Sequence, residues 1–438
     1  MIFGTDGLRA KMGVHPLTQP IIETLSTVLN AWLHQNTTGT PATVVVGSDT
    51  RESCSQVRQW ICSAFDEVTL IDLGVVPTPV VAYETQARDA QLGIMITASH
   101  NPAEDNGLKF FDAQGHKIRY DQAVAWSERV LDPATQITQG VCRPTSAEPT
   151  FYLDFLAQHF GALETTPPIA FDLAHGAGSG FFALLADRLK LKPKAVIGNQ
   201  PNGTNINAGY GALHTEKLVQ AVVEHQCLAG FALDGDGDRL IVVDADGPLH
   251  GDMVLYALGE VMQAAGHPIE TVVGTIMCGM GFEQVLAGEG KTLLRTPVGD
   301  QNVLAEMIDR RLLLGGEPSG HLILGDLFPA GDGLLAAMRL IAALKHDPDL
   351  LRRARAKIPL YPVFEKAYRV QRKPPLDSVP ALAKSLDALK DAVGNQGRLI
   401  VRYSGTENKI RVYLEAQDLT PFNPYLEAFI ETIDQELA

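Results

Sequence analysis

Apolar and polar positions along the chain form segments that predict alternating helices and strands. Between residues 20 and 34, large apolar residues recur three and four positions apart, which is typical of a helix with one buried face. This alternation predicts an α/β protein with largely parallel sheets. The short apolar runs that predict buried strands lie at 43–46, 68–73, 93–97, 169–173, 194–197, 231–233, 240–243, 271–276 and 312–314.

The C-terminal segment has a different pattern. Two apolar strands lie close together around a polar turn, at 399–402 and 410–415, and a helix follows from about Asn423. This order predicts a small α+β unit, preceded by a proline-rich linker at 358–375. With further breaks near 143–149 and 247–252, the predicted domains are 1–147, 148–249, 250–362 and 363–438.

Composition and charge exclude several classes of function. The chain has 438 residues, 45% apolar and 20% charged, as expected for a globular protein of three or four domains. A net charge of −15 predicts no nucleic-acid partner. No apolar run reaches the roughly 18 residues of a membrane helix, so no membrane partner is expected. The N-terminal residues lack the features of a secretory signal, and the five scattered cysteines contain no C-x-x-C pair, which together predict a cytoplasmic protein with reduced thiols.

Four of the predicted strands run directly into compact polar loops. Ligands of α/β sheets bind outside the carboxyl ends of strands, so these loops are candidates for one cleft lined by four domains. The loops lie at 98–102, 234–239, 315–321 and 402–407.

The second loop carries three aspartates, Asp234, Asp236 and Asp238, separated by glycines that let the backbone bend and turn the carboxylates toward one point. Hard oxygen donors of this kind suit Mg²⁺. An EF-hand is excluded because Arg239 occupies the position that requires glycine. Arg239 itself suits a phosphate or a carboxylate. The alternative is an acidic surface turn.

The first loop places Ser99 next to His100. A hydrolase nucleophile is not indicated, because the glycines of the G-x-S-x-G pattern are absent. The hydroxyl can instead carry a phosphoryl group whose charge a metal neutralises. The alternative is a serine that caps a turn.

The other two loops offer groups that bind sugars and phosphates. Glu317, Ser319 and His321 can hydrogen-bond sugar hydroxyls, although a structural turn would explain them equally well. The C-terminal loop collects guanidiniums, hydroxyls and backbone N–H groups into a phosphate cradle, for which the alternative is a solvated hairpin tip. Its members are Arg402, Ser404, Gly405, Thr406 and Arg411.

These loops, in this order, resemble the α-D-phosphohexomutase superfamily. The segments 3–9, 105–111 and 203–207 extend the resemblance over nearly the whole chain. It implies three related α/β domains with mixed sheets and a smaller α+β C-terminal domain. It also implies that Ser99 is phosphorylated, and that Asp234, Asp236 and Asp238 bind one Mg²⁺ together with that phosphate.

Further roles follow from the resemblance alone. Arg9, His100 and Lys109 match positions near the phosphoserine where proton transfer and charge stabilisation occur. Within the superfamily the chain is most similar to the bacterial phosphoglucosamine mutases. The implied reaction interconverts glucosamine 6-phosphate and glucosamine 1-phosphate, with a phosphosugar as partner and a sugar 1,6-bisphosphate as intermediate and activator, in a monomer or a homodimer.

Other functions stay open at this point. Phosphomannomutase/phosphoglucomutase activity is the main alternative, because the chain departs from the family pattern at Gln301, Asn408 and 172–176. A buried strand followed by D-x-D also resembles Mg²⁺-dependent sugar phosphatases that form an aspartyl-phosphate. A sugar-phosphate sensor is a third possibility, and it would need no nucleophile beside its metal.

Overall fold

The computed structural model describes residues 1–4, 6–37, 41–140, 142–404 and 407–437. They form two compact units, one of residues 1–277 with 291–355 and the other of residues 278–290 with 356–438. The first unit contains three sheets and the second contains one. Within the described ranges, no helix is long and apolar enough to cross a membrane.

The first sheet has six strands in the order β1-β5-β4-β2-β3-β6. Its central strands β4, β2 and β3 are parallel, whereas β1 and β5 are antiparallel. Every residue of β4 is buried, as expected for a strand covered on both faces. The elements are β1 (Leu8–Lys11), α1 (Gln19–Asn36), β2 (Ala42–Ser48), α2 (Cys54–Cys62), β3 (Val68–Val75), α3 (Thr78–Ala87), β4 (Leu92–Ile96), β5 (Asp105–Phe111), α4 (Tyr120–Leu131) and β6 (Thr145–Ser146).

The second sheet has five strands in the order β11-β10-β9-β7-β8. Strands β7, β8 and β9 are parallel, and β9 returns through a tight turn into antiparallel β10. The elements are α5 (Thr150–Phe160), β7 (Ile169–Asp172), α6 (Gly178–Arg188), β8 (Ala195–Ile197), α7 (Glu216–Glu224), β9 (Ala229–Leu233), β10 (Leu240–Asp244) and β11 (Gly247–Pro248).

The third sheet has the order β13-β12-β14-β15-β16, with β13, β12 and β14 parallel. The elements of this part of the first unit are α8 (Gly251–Ala264), β12 (Thr271–Thr275), β13 (Thr292–Thr296), α10 (Asp300–Arg310), β14 (Leu314–Gly316), β15 (Leu322–Leu324), β16 (Phe328–Gly331), α11 (Gly333–Leu344) and α12 (Leu350–Lys357). The intervening helix α9 (Met280–Gly288) belongs to the second unit.

The second unit has an antiparallel three-stranded sheet in the order β17-β19-β18. Two helices cover it and bury apolar residues such as Leu389 and Phe429 against the central strand. The elements are β17 (Val363–Arg369), α13 (Pro380–Val393), β18 (Gly397–Tyr403), β19 (Lys409–Ala416) and α14 (Asn423–Leu437), with short 3₁₀ turns at Leu376–Ser378 and Thr420–Phe422.

The predicted α/β class with mixed sheets and a small α+β C-terminal part is confirmed, but three details are wrong. The three sheets of the first unit are not largely parallel, because strands joined by antiparallel pairing extend each parallel group at one edge. The strand predicted at 312–314 instead begins at Leu314, since Leu312 N–H still bonds Met307 O at the end of α10. The predicted linker 358–375 contains β17, an edge strand.

Candidate active site

Ser99 follows β4 in a turn that an internal network holds in place. The residue is fully buried, and its φ of +52° lies in the left-handed region, which costs a non-glycine residue roughly 1–2 kcal/mol. Its backbone N–H donates to Thr97 Oγ1 at 2.8 Å, and Thr97 Oγ1 donates to Asp49 Oδ2 at 2.7 Å. These bonds stabilise a strained conformation at the predicted nucleophile.

The three aspartates of the second loop meet Ser99. All three are buried in the turn between β9 and β10, and each contributes a carboxylate oxygen to a group whose members lie within 4.8 Å of one another. Ser99 Oγ donates to Asp234 Oδ2 at 2.7 Å. The structure therefore brings the predicted nucleophile and the predicted metal ligands together, although they are 135 residues apart in sequence.

Lys109, on β5, neutralises two of these carboxylates. Its Nζ lies 2.7 Å from Asp236 Oδ2 and 2.6 Å from Asp238 Oδ2, and 3.4 Å from Asp6 Oδ2. Thr78 Oγ1 also donates to Asp236 Oδ2, at 2.6 Å. Although burial opposes its charge, the neighbouring aspartates raise the pKa of Lys109 well above its usual range.

The donor set fits Mg²⁺. Asp236 Oδ1 is buried and has no hydrogen-bond partner among the described residues, so it is free to coordinate a cation. Burial, together with the charges of Asp236 and Asp238, raises the pKa of Asp234 to about 7, because both burial and repulsion from like charges disfavour the carboxylate. A hard divalent cation relieves such repulsion through carboxylate oxygens.

His100 and Arg9 border the nucleophile. His100 Nδ1 lies 3.3 Å from Ser99 Oγ. Burial, with the charges of Arg239 and Arg9, lowers the pKa of His100 to about 4, so the imidazole is neutral at pH 7. Arg9 itself pairs with Asp6.

The predicted sugar loop, 315–321, contacts the carboxylate cluster through His321. His321 Nε2 lies 3.2 Å from Asp238 Oδ1, and its Nδ1 lies 3.1 Å from Glu317 Oε2. Although burial and Arg239 oppose protonation, the carboxylates of Asp238 and Asp300 raise the pKa of His321 to about 10. The backbones of Arg239 and His321 pair in an antiparallel bridge, and Ser319 lies exposed at the tip of the turn.

Three residues of the site were not singled out from the sequence. Lys117 Nζ lies 2.5 Å from Asp6 Oδ1 and 2.6 Å from Asp300 Oδ2, so one ammonium bridges two carboxylates. Asp6 lies in the N-terminal segment used for the resemblance, but Lys117 is 111 positions away from it in sequence, and Asp300 is 183 positions beyond Lys117. Only the tertiary structure shows that these groups meet.

The residues predicted to form the C-terminal phosphate cradle lie in the second unit. Arg402 and Arg411 lie directly opposite each other on β18 and β19. Ser404 is buried, and its Oγ accepts from Glu407 N–H at 3.2 Å. Gly405 and Thr406, also predicted for the cradle, lie outside the described residues. Arg411 pairs with Glu407 at 3.1 Å.

A buried serine beside a carboxylate triad, at the carboxyl ends of strands in an α/β protein, has the groups that metal-assisted phosphoryl transfer requires. Comparison with family models gives the particular family. Four phosphoglucomutase/phosphomannomutase domain models match, namely the α/β/α domains I, II and III at residues 1–132, 150–247 and 250–361 and the C-terminal domain at 365–430. The chain belongs to the phosphoglucomutase/phosphomannomutase family, and the resemblance to phosphohexomutases is confirmed.

Individual relatives agree with this. The chain is 36% identical to a phosphoglucosamine mutase of Methylobacillus flagellatus and 35% identical to one of Solibacter usitatus, over 100% of this chain and 99% of each relative. Its fold matches a phosphoglucomutase/phosphomannomutase family protein of Burkholderia thailandensis with a TM-score of 0.79 at 21% identity, covering 99% and 97% of the two chains. An N-acetylphosphoglucosamine mutase of Aspergillus fumigatus, solved in complex with GlcNAc-6P and magnesium, matches with a TM-score of 0.67 at 17% identity, covering 99% and 96%. The chain is thus a phosphosugar mutase with a phosphohexomutase fold.

Proposed function

We propose that this mutase interconverts glucosamine 6-phosphate and glucosamine 1-phosphate through a phosphoserine at Ser99. Full-length relatives named phosphoglucosamine mutase, at 35–36% identity, support the substrate. The observation that carries the phosphoserine is the 2.7 Å hydrogen bond from Ser99 Oγ to Asp234, inside a buried carboxylate cluster.

The reaction consists of two phosphoryl transfers. In the first, the bond between phosphorus and Ser99 Oγ breaks while the free hydroxyl oxygen of the sugar monophosphate bonds to phosphorus. The proton of that hydroxyl passes through the site to the Ser99 oxygen that leaves, and the product is a sugar 1,6-bisphosphate. After the bisphosphate reorients, Ser99 Oγ bonds to the phosphorus of the other phosphoryl group, the bond from that phosphorus to the sugar oxygen breaks, and the Ser99 hydroxyl proton passes to the sugar oxygen. Charge and composition balance without water or a redox partner.

We assign the groups around Ser99 to these transfers. Arg9, His100 and Lys109 serve proton transfer and charge stabilisation, because His100 Nδ1 lies 3.3 Å from Ser99 Oγ and Lys109 contacts the carboxylate cluster. The residues that would hold Mg²⁺ are Asp234, Asp236 and Asp238, together with the phosphate on Ser99. When bound, Mg²⁺ supplies charge stabilisation to the transferring phosphoryl group.

Substrate binding is assigned to the remaining loops. Arg239, Glu317, Ser319 and His321 would contact the sugar, since the last of these already lies against the carboxylate cluster. The bisphosphate must bind in two orientations, so one site has to hold the non-reacting phosphate in both. We assign that site to Arg402, Ser404, Gly405, Thr406 and Arg411, which offer hydrogen-bond donors around a turn.

A substrate panel tests the function. The values of kcat/KM for glucosamine, N-acetylglucosamine, glucose and mannose phosphates should be highest for glucosamine. A higher value for glucose or mannose would instead identify a phosphoglucomutase/phosphomannomutase.

The nucleophile is tested with Ser99→Ala and Ser99→Gly, the latter because glycine accepts a positive φ without strain. Both variants should lose turnover and the phosphate at position 99, seen by intact mass, whereas Ser55→Ala at an exposed serine should behave as the parent. Phosphate that hydroxylamine removes from Asp234, with release of inorganic phosphate, would instead support a phosphatase.

A further inference from the structure

The segment 203–207 contributed to the family resemblance, but none of the assigned roles uses it. Its last residue, Asn207, is nearly buried and has a φ of +62°, a conformation that asparagine tolerates better than most residues. Its backbone N–H donates to Ala174 O at 2.8 Å, which fixes the segment to the end of β7. The side chain therefore has a defined direction.

The Asn207 amide reaches the loop that carries the nucleophile. Nδ2 donates to Ser99 O at 2.9 Å and to Asn101 O at 3.2 Å. The same two carbonyls accept from Arg51 Nη2, at 3.1 and 2.8 Å. Arg51 is held by Asp49 within the same domain as Ser99, with both side chains fully buried. Asn207 therefore adds hydrogen bonds from the domain of the second sheet to the same two carbonyl oxygens.

The aspartate loop packs closely against Asn207 at Gly235. A Cβ at Gly235, in the aspartate loop, would lie 2.5 Å from Ser99 O and 2.7 Å from Asn207 Nδ2. The aspartate loop, the Ser99 carbonyl and the Asn207 amide are thus packed at contact distance. Asp234 accepts a hydrogen bond from Ser99 Oγ, and Asn207 donates one to Ser99 O. The domain of the second sheet therefore contacts the nucleophile at both its side chain and its backbone.

We propose that Asn207 is a positioning residue that fixes the backbone of Ser99 and thereby sets the position of its Oγ relative to the aspartate loop. This role rests on the proposed phosphoserine mechanism. A misplacement of about 1 Å can slow a reaction about 100-fold. Sugar binding should be unaffected, because the residues assigned to it lie on other loops.

Two variants remove the amide donor in different ways. Asn207→Asp keeps the shape but turns an acceptor toward two carbonyl oxygens, and Asn207→Gly is uncharged and retains the positive φ without strain. The matched control is Asn205→Gly in the same segment, whose amide donates to Gln200 O rather than to the Ser99 loop. Agreement between the two Asn207 variants assigns the effect to the lost donor rather than to the added charge.

The readouts separate positioning from simple structural support. We expect kcat to fall about 10- to 100-fold in both Asn207 variants while KM for the sugar phosphate changes less than about 3-fold. Phosphorylation of purified, dephosphorylated enzyme by glucose 1,6-bisphosphate, followed by intact mass, should slow by the same factor. Asn205→Gly should match the parent in both assays.

Failure of the proposal is distinguishable from failure of the mechanism. If the parent enzyme is not phosphorylated at Ser99 at all, the phosphoserine mechanism is wrong. If the parent is phosphorylated and Asn207→Gly reacts at the same rate, or changes KM alone, the positioning role is wrong. If only Asn207→Asp is slow, the cause is its charge, and the role of the amide is likewise refuted.

Discussion

The ammonium of Lys109 lies 2.7 Å from Asp236 Oδ2, with both side chains almost completely buried. The same ammonium contacts Asp238 at 2.6 Å. Buried charges of this kind are tolerated only when they are paired, and removing one partner of such a pair costs about 3–5 kcal/mol. Lys109 and a divalent cation bound at this site would therefore both neutralise the negative charge of the aspartate cluster.

Replacing Lys109 should make the fold depend on the metal. In Lys109→Met the carboxylates lose their neutralising ammonium, so the melting temperature in chelator should fall and Mg²⁺ should raise it more than it raises that of the parent. Thermal unfolding with and without Mg²⁺ measures this difference. Lys11→Met, at an exposed position of β1, is the control. Equal stabilisation by Mg²⁺ in Lys109→Met and the parent would contradict the prediction.

Lys117 should be coupled to Asp300. Lys117→Met leaves Asp6 and Asp300 without the ammonium that bridges them, and we expect a loss of roughly 3 kcal/mol in the free energy of unfolding. Asp300→Asn removes one of the two carboxylates that lose this ammonium, so the double variant should be more stable than the sum of the single effects by about 0.5–3 kcal/mol. A double-mutant cycle from denaturant unfolding measures this coupling, and strict additivity would refute it.

The carboxylate cluster could be predicted from the sequence because its pattern is local. An apolar strand leads directly into alternating aspartate and glycine, and the structure places β9 and the buried aspartates accordingly. The Ser99 loop after β4 was predictable for the same reason. Both are carried by residues adjacent to a buried strand, so periodicity and loop composition were sufficient.

Contacts between distant residues could not be predicted in this way. Lys117 and Asp300 are 183 positions apart, and neither sits in an unusual local pattern. Some antiparallel strands were missed, such as β1, because four residues that are mostly partly exposed give no clear alternation. The strand predicted at 312–314 was misplaced because Leu312 still bonds to the end of α10, and β14 begins only at Leu314.

The stability of the first unit should change with pH through Asp332. This buried carboxylate caps α11 at Leu335 N–H and accepts from Tyr152 OH at 2.7 Å. Burial raises its pKa to about 6, above the usual value of 3.8. The folded state therefore keeps a proton that the unfolded chain releases, and this stabilisation, present at low pH, is lost as the pH rises through about 6.

Asp332→Asn isolates the effect, because asparagine cannot ionise but can still cap the helix. The stability of this variant relative to the parent should increase by up to about 3 kcal/mol between about pH 4 and pH 8, from two pKa units at 1.36 kcal/mol each. Denaturant unfolding at several pH values measures it. Asp347→Asn, at a largely exposed carboxylate, should show no such trend between about pH 5 and pH 8. A pH-independent difference for Asp332→Asn would contradict the raised pKa.

The C-terminal cradle should act on both substrates alike. Arg402 and Arg411 lie opposite each other on β18 and β19, where like charges repel, so a bound phosphate would be favoured there in addition to the pairing of Arg411 with Glu407. A charge-assisted hydrogen bond contributes about 1.5–3 kcal/mol, which corresponds to about a 10- to 150-fold effect on binding. Arg411→Ala should therefore lower kcat/KM by about that factor for glucosamine 1-phosphate and glucosamine 6-phosphate.

The control for this variant is Arg369→Ala, an exposed arginine on the edge strand β17 of the same sheet, which should leave kcat/KM unchanged. Phosphorylation of Ser99 and binding of Mg²⁺ should persist in Arg411→Ala, because those groups belong to the other unit. Because one phosphate site must serve both orientations of the bisphosphate, the two substrates have to lose affinity together. Impairment with one substrate and normal kcat/KM with the other would mean that each orientation has its own phosphate site.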